Sequence, residues 1–338
     1  MTLLSPFQSP RQVAQFAVRP IGLGCMNLDH GYGPSVSPEQ GERVLLGALD
    51  AGYDFFDTAT LYGGGKNEER LGAVLSKHRS RFTLASKCGM AIIPLDGAMK
   101  RVIDGRPETI KRECDNSLRR LQTDVIDLYY LHRWDKKVPI EDSVGALSDL
   151  VRQGKIRSIG LSEVGAATLR KAHAVHPIAA LQTEYSLWTR DAEIGALAAC
   201  AELGVAFVAF SPVARGFLCG ELDTAKFDAK DIRRGMARFQ GKAFAANLQL
   251  LKRYEAIAAN VGCTGAQLAL AWLLHQAPHI IPIPGTTSAA HMQDNLAAQR
   301  IALSPEVMQA LDALINTRTV VGARYDAQSQ SEVDTEAV

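Results

Sequence analysis

The sequence predicts an α/β fold, a (β/α)8 TIM barrel with an N-terminal β-hairpin and a C-terminal extension. Three observations lead there. Short β-rich runs alternate with segments of 3.6-residue apolar period through most of the chain, these runs number eight, and chemically reactive side chains cluster at their C-terminal ends. Strand–helix alternation implies right-handed crossovers and a parallel sheet. Eight repeats favour closure into a barrel, with an open doubly wound sheet as the alternative.

The strand runs cover residues 21–25, 54–57, 82–86, 125–131, 156–161, 180–183, 205–210 and 280–283. Helical periodicity marks 38–51, 68–77, 107–121, 140–153, 166–174, 192–203, 243–260, 265–275 and 291–298. Ser37-Pro38-Glu39 reads as an N-cap, a first-turn proline and an early acid. Pro107 repeats the proline-first start, and Gly154 and Gly204 stand where a left-handed cap needs glycine. Ahead of the first strand, the stretches 3–7 and 15–18 flank a Gln-Ser-Pro-Arg turn, so residues 1–20 are expected to form a hairpin under the barrel. Residues 214–242 form a long charged loop after the seventh strand, the usual place for a lid or binding loop. Residues 322–338 are polar and read as a flexible tail. Residues 1–338 are thus expected to be a single barrel domain.

Composition excludes several classes. The chain is 47% hydrophobic and 22% charged, as expected for a globular protein with a large core. A net charge of +1 gives no electrostatic case for nucleic acid or an acidic membrane surface. No run approaches the ~18 unbroken apolar residues of a spanning helix. The start MTLLSPFQSP lacks the basic and apolar regions of a signal peptide. Cys25, Cys88, Cys114, Cys200, Cys219 and Cys263 are scattered without a CxxC pair, which fits reduced thiols and a cytoplasmic location. Each reads as a small buried hydrophobe. Cys25 and Cys88 end strand runs and are expected to face the cleft, open to oxidation. No histidine–cysteine spacing suits zinc, so no metal is expected.

Asp57, Lys87 and His132 stand at or just past the ends of the second, third and fourth strand runs, and Tyr62 lies just beyond the first of them. Successive strand ends share one rim of a parallel barrel, so the four would meet around one cleft. A phenol with a pKa of about 10 exchanges protons slowly at neutral pH unless its surroundings help. The Lys87 ammonium would lower that value by stabilising phenolate. Asp57 would hold Lys87 by an ion pair, and His132 would orient a substrate oxygen. Such a set protonates an alkoxide as it forms; a carbonyl reduction also needs a hydride source, and nicotinamide is the usual one.

These residues sit in a series of motifs. They are Asp57-Thr58-Ala59 with Tyr62-Gly63, Ser86-Lys87-Cys88-Gly89, Tyr130-Leu131-His132-Arg133, Gly160-Leu161-Ser162, Gln182-Thr183-Glu184-Tyr185-Ser186, Phe210-Ser211-Pro212, Arg215-Gly216-Phe217-Leu218 and Ile281-Pro282-Ile283-Pro284-Gly285-Thr286. Each is weak alone; their order and their placement at successive strand ends are specific. By them the chain resembles the aldo-keto reductase family along nearly its whole length. It is most like bacterial and plant members carrying the EYSLW and RGFL segments.

The resemblance implies NAD(P)H-dependent reduction of an aldehyde or ketone to an alcohol. Hydride would come from nicotinamide and the proton from Tyr62 as general acid, with Lys87 and Asp57 tuning it and His132 orienting the substrate. Ser162 and Gln182 resemble the residues that hydrogen-bond the nicotinamide carboxamide, and Phe210 the aromatic that stacks on the ring. Ser211, Arg215 and Gly216 after the seventh strand, with Gly285, Thr286 and Thr287 after the eighth, would take the phosphates. The helix starting near Ser288 would reinforce them. Asn295 matches an adenine contact, with Gln293 near it. Met26 and Trp134 are expected in the substrate wall, and Tyr325 lies in a segment that can reach the pocket in this family.

Two positions depart from the pattern. Glu163 stands where many relatives have Asn, which leaves the carboxamide to Ser162 and Gln182. The Gly285-Thr286-Thr287-Ser288 loop lacks the Lys or Arg that NADPH-preferring relatives place beside the 2′-phosphate, and His291 occupies a position often held by Arg. NADPH is still the expected cofactor, with NADH possible, and the expected partner is a small-molecule carbonyl substrate. A reading from a different class is a cofactor-binding, redox-sensing regulatory subunit resembling the potassium-channel β-subunits.

Overall fold

A computed structural model describes residues 7–220 and 222–336. Most of the apolar stretch 3–7 lies outside the described residues. The chain enters through an antiparallel hairpin, β1 (Arg11–Val13) and β2 (Phe16–Val18). Next come β3 (Leu23–Gly24), β4 (Phe55–Asp57) and β5 (Thr83–Cys88). A second antiparallel hairpin follows, β6 (Met90–Leu95) and β7 (Ala98–Ile103). The sheet resumes with β8 (Leu128–Leu131), β9 (Ile159–Ser162), β10 (Ile178–Glu184), β11 (Ala206–Phe210) and β12 (Ile280–Pro282).

The eight sheet strands pair in parallel in the order β3-β4-β5-β8-β9-β10-β11-β12. The two ends then meet. Gly22 donates its N–H to Pro282 O at 3.1 Å, Gly24 donates to Pro284 O at 3.2 Å, and Gly24 pairs with Gly285. This contact closes the barrel and rules out the open doubly wound sheet.

The outer ring begins with α1 (Pro38–Ala51), α2 (Lys66–Leu75), α3 (Pro107–Leu121), α4 (Ile140–Arg152), α5 (Ala166–Val175) and α6 (Ala196–Leu203). It continues with α7 (Gly241–Val261), α8 (Gly265–Gln276), α9 (Ala289–Ala297), α10 (Pro305–Leu314) and α11 (Ala327–Ser331). Ser37 caps α1 by accepting from Gln40 N, and Gly204 ends α6 at φ 67°. The β6–β7 hairpin, α10 and α11 are additions to the sequence reading, and α11 lies within the stretch 322–338 that was read as a flexible tail. The hairpin escapes an alternation test because residues 95–101 are exposed on both faces. Its local signal is the Asp96-Gly97 turn, with φ of 52° and 76°.

Alternation along each strand divides the core in two. Phe55, Ala85, Leu128, Tyr130, Ala180, Val208 and Ile281 fill the barrel, above Val13 and Val18 of the first hairpin. Phe56, Leu84, Tyr129, Leu131, Leu161, Leu181 and Phe207 face outward, into a cluster shared with the helices. Arg11 fastens the hairpin below. Its guanidinium donates to Leu274 O (2.9 Å), Ala277 O (2.6 Å) and Ile280 O around the end of α8. A cation there complements the helix dipole.

Gly72 lets α2 pack closely on the end of α3. A Cβ added at Gly72 would overlap the Arg120 carbonyl and the Leu121 backbone, and backbone cannot swing aside. Gly72→Ala is therefore expected to destabilise the fold by about 1–3 kcal/mol, the usual cost of overpacking. Thermal unfolding followed by circular dichroism checks this; an unchanged Tm contradicts it.

Candidate active site

The alternation that fills the barrel also aims the reactive groups. Along β4 and β5, Phe55 and Ala85 point inward, so Asp57 and Lys87 do too; along β8, Tyr130 points inward, and His132 follows with the same parity. Tyr62 reaches the same place from a tight turn over 62–65, in which Gly63 and Gly64 hold φ of 60° and 66°. A side chain would strain that turn.

The four groups meet. Lys87 Nζ donates to Asp57 Oδ1 at 2.5 Å, to Thr58 O at 2.8 Å and to the Tyr62 hydroxyl at 3.1 Å. Those contacts use the three donors of an ammonium. Gln182 Nε2 holds the other Asp57 oxygen at 2.8 Å. The Tyr62 and His132 rings meet edge to face, with centroids 5.8 Å apart. All four side chains are buried, Lys87 completely.

Their protonation states separate. Burial alone would discharge Lys87, but the Asp57 carboxylate and the Tyr62 oxygen raise it above its ordinary value. His132 lies well below its ordinary value, through burial first and the charges of Lys87 and Arg133 next, and so stands as neutral imidazole. Burial pushes the Tyr62 phenol up, and the Lys87 ammonium opposes that without overcoming it. Lys87 therefore lowers the phenol as expected, but burial outweighs it, and Tyr62 is a protonated donor at neutral pH.

These residues open on a cavity of about 770 Å³. Asp57, Tyr62 and His132 line it, as do Ser162, Gln182, Phe210, Ser211, Arg215, Gly216, Gly285, Thr286 and Thr287. Met26 lines it too and packs beside Tyr62, Leu61 and Met90. Trp134 is outside: its Nε1 donates to Val138 O at 2.7 Å and it packs against the outer core. Gln293 is exposed on α9, Asn295 is buried in it, and neither lines the cavity. Cys25 and Cys88 correct another expectation. Both have outward parity, sit fully buried among core residues and do not line the cavity. Burial pushes both thiols up, away from reactive thiolate.

The loop over 214–242 crosses the mouth. Ile232 N donates to Gly31 O at 2.9 Å, and the Arg233 guanidinium lies 4.8 Å from the Tyr32 ring centroid. Wall residues absent from the sequence reading include Asn27, His30, Arg101 and Arg133, and the C-terminal Asp326, Ser329 and Glu332. Arg133 directly follows His132, so its place on the rim was readable; Arg101 depended on recognising the β6–β7 hairpin.

A sequence model described as the Aldo/keto reductase family matches residues 20–316. A probable aldo-keto reductase 1 of Glycine max is 39% identical over 311 residues, covering 92% of this chain and 89% of the relative. The aldo-keto reductase yakc [NADP(+)] of Schizosaccharomyces pombe is also 39% identical, over 96% of both chains. The chain belongs to the aldo-keto reductase family. Solved structures agree in fold. A glycerol dehydrogenase of Gluconobacter oxydans superposes with a TM-score of 0.83 at 27% identity, over 95% of this chain and 99% of that one. An aldo/keto reductase of Klebsiella pneumoniae in complex with NADP and acetate gives a TM-score of 0.69 at 30% identity, over 94% and 99%.

Within this aldo-keto reductase, Glu163 has a structural partner that no local motif announces. Its Oε1 accepts from Arg324 Nη2 at 2.6 Å and from Glu184 N at 2.9 Å. Arg324 Nε and Arg215 Nη2 both donate to Glu184 Oε2, at 3.0 and 2.7 Å. Two carboxylates and two guanidiniums are thus interlocked with their side chains buried. The C-terminal segment continues along the rim: Asp334 N donates to Glu163 O at 3.0 Å, and Thr168 Oγ1 donates to Asp334 Oδ2 at 2.6 Å.

Burial opposes ionisation of Glu184, yet Arg215 and Arg324 hold it down at about 2 from its ordinary 4.5. A depressed carboxyl pKa contributes stability that is complete above the unfolded value and is lost as pH falls through the folded one. The Glu184 contribution is therefore present above pH 4.5 and disappears between pH 4.5 and 2. Glu184→Gln is expected to lower Tm at pH 7 and to flatten the decline of Tm across that window. A parallel decline in both proteins contradicts this.

Proposed function

We propose that this aldo-keto reductase reduces an aldehyde or ketone to the alcohol with NADPH. The observation that carries the reading is the Lys87 ammonium joined to Asp57, Thr58 O and the Tyr62 hydroxyl at the floor of one large cavity. The cavity suits a dinucleotide. Its wall bends through left-handed backbone at Ser211 and Arg215, and Gly24 and Gly285 line it where β3 closes on the loop after β12, so near each other that a Cβ at Gly24 would meet Ile283 O and one at Gly285 would meet Asn27 and Gly24 O. A bound nicotinamide cofactor supplies the hydride taken up by the carbonyl carbon.

Around it the chain's own residues divide the work. Ser162 and Gln182 hold the carboxamide; Gln182 gives its NH2 to Asp57, which leaves its carbonyl oxygen for the ligand. Phe210, on the cavity wall, would stack on the ring. Ser211, Gly216, Gly285, Thr286 and Thr287 supply hydroxyls and backbone N–H groups to the phosphates. Arg215 borders them with its charge already matched by Glu184. Asn295 and Gln293, on α9 outside the cavity lining, would contact the adenine. Tyr62 gives its proton to the substrate oxygen, His132 donates a hydrogen bond to that oxygen, and Lys87 stabilises the phenolate left behind. Asp57 keeps Lys87 charged and in place. Met26, Leu61 and Met90 form the apolar side of the substrate space. The naming of the Schizosaccharomyces pombe relative for NADP(+), and the NADP in the Klebsiella pneumoniae structure, support the choice of cofactor. Six free thiols support a reducing, cytoplasmic setting.

Two measurements test the reading. Tyr62→Phe is expected to lower kcat for an aldehyde by about 10²–10⁴-fold, the scale of a lost general acid, while NADPH titration by fluorescence gives an unchanged Kd. Near-wild-type kcat in that variant contradicts the assignment. Steady-state kinetics are expected to give a lower KM for NADPH than for NADH; the reverse order contradicts the cofactor choice.

A further inference from the structure

The cavity wall carries four guanidiniums, and three of them are already matched. Arg215 is paired with Glu184, Arg233 with Asp231 and Arg101 with Glu332. The carboxylates on the wall are engaged as well: Asp57 holds Lys87, and Asp326 caps α11 by accepting from Ser329 N. Arg133 differs. Among the described residues no carboxylate lies within 4.0 Å of it.

Arg133 is nonetheless fixed and half-buried. Its Nη1 donates to His132 O at 2.7 Å and to Ser162 Oγ at 3.1 Å. No protein acceptor takes its Nε or Nη2 among the described residues. A planar guanidinium anchored through one nitrogen presents an edge suited to bidentate contact with a carboxylate. A guanidinium held in place without a counter-ion, with its remaining donors open to the cavity, is available to bind an anion.

That anion is not the cofactor's pyrophosphate. The phosphate loops follow β11 and β12, the seventh and eighth barrel strands, whereas Arg133 follows β8, the fourth. In a closed eight-stranded barrel the fourth and eighth strands stand on opposite sides of the mouth. Arg133 instead adjoins His132, on the side where the β6–β7 hairpin brings Arg101 to the wall. In the proposed reduction the substrate oxygen lies at His132, which puts the substrate on this side. We propose that the enzyme selects carbonyl substrates carrying a carboxylate, with Arg133 as the residue that binds it. This rests on the reading of the cavity as a carbonyl-reducing site.

The test compares near-isosteric pairs at fixed NADPH: glyoxylate against methylglyoxal, and 4-carboxybenzaldehyde against 4-methylbenzaldehyde. In the wild type the charged member of at least one pair is expected to have the higher kcat/KM. Arg133→Met should lower that charged-to-neutral ratio by about 10- to 100-fold, the range for a hydrogen bond to a charged group, mainly through KM, with Arg133→Lys between the two. Added salt should compress the wild-type ratio. A second measurement needs no turnover: benzoate and benzyl alcohol are titrated into the protein–NADPH complex, and Arg133→Met should weaken benzoate alone.

Equal losses on both members of each pair mean that Arg133 only positions His132 and Ser162, which overturns the proposal. A tenfold rise in the Kd for NADPH in Arg133→Met makes it a cofactor contact and also overturns it. If no aldehyde of either kind is turned over while benzoate binding still depends on Arg133, the carboxylate site stands and the carbonyl-reducing reading fails.

Discussion

An ammonium with no solvent exposure is the constraint around which this molecule is arranged. Lys87 sits inside the barrel mouth, where an unpaired charge is prohibitive. It is tolerable because each of its donors has an acceptor: a carboxylate, a backbone carbonyl and a phenol. Each acceptor comes from a different constraint on the chain. Asp57 needs inward parity at the end of β4, Thr58 needs the strand to continue one residue further beside β5, and Tyr62 needs a glycine turn to bring it back. Gln182 reaches Asp57 from the far side of the barrel. A slip of one residue in β4 or β5 would turn Asp57 or Lys87 into the helix layer and leave the other charge alone.

A second charge cluster does for the C-terminal segment what Lys87 does for the mouth. Arg324 bridges Glu163 and Glu184, two acids that would otherwise be buried near each other, while Arg215 completes the balance. The residues involved come from the ends of β9 and β10, from the loop after β11 and from the chain's last segment. Removing any one leaves an unmatched buried charge, so the rim and the C-terminal segment are energetically one piece. Tyr325 is drawn in with them, its ring 4.4 Å from the Arg324 guanidinium carbon and its hydroxyl within reach of both arginines.

What could be read in advance follows from how local each signal is. The barrel was legible because its strands are short apolar runs with glycine and proline punctuation, and the meeting of Asp57, Lys87 and His132 because strand ends share a rim. Applied consistently, the same two-residue alternation also places Cys25 and Cys88 outward, where the structure has them. The β6–β7 hairpin left only the Asp96-Gly97 turn as a trace, since its strands bury no continuous face. Glu163 seemed a substitution that weakened a ligand contact; its reason lies in Arg324, distant in sequence and joined to it only by the closed fold. The pairing of every wall guanidinium except Arg133 is likewise a property of three dimensions.

The separation of protonation states gives the site a direction. Burial acts on all its groups, but with opposite consequences for acids and bases. It keeps the proton on Tyr62 and keeps His132 without one, while Asp57 prevents the same burial from stripping Lys87. In the proposed reduction, then, the proton to be transferred starts on the phenol. Once that proton has left, the phenolate finds the ammonium 3.1 Å away. The attraction between them acts in surroundings of low dielectric and therefore strengthens as charge develops on the phenol oxygen. Lys87 contributes least to the resting phenol and most to the state formed by giving the proton up, which is the difference a catalytic acid requires.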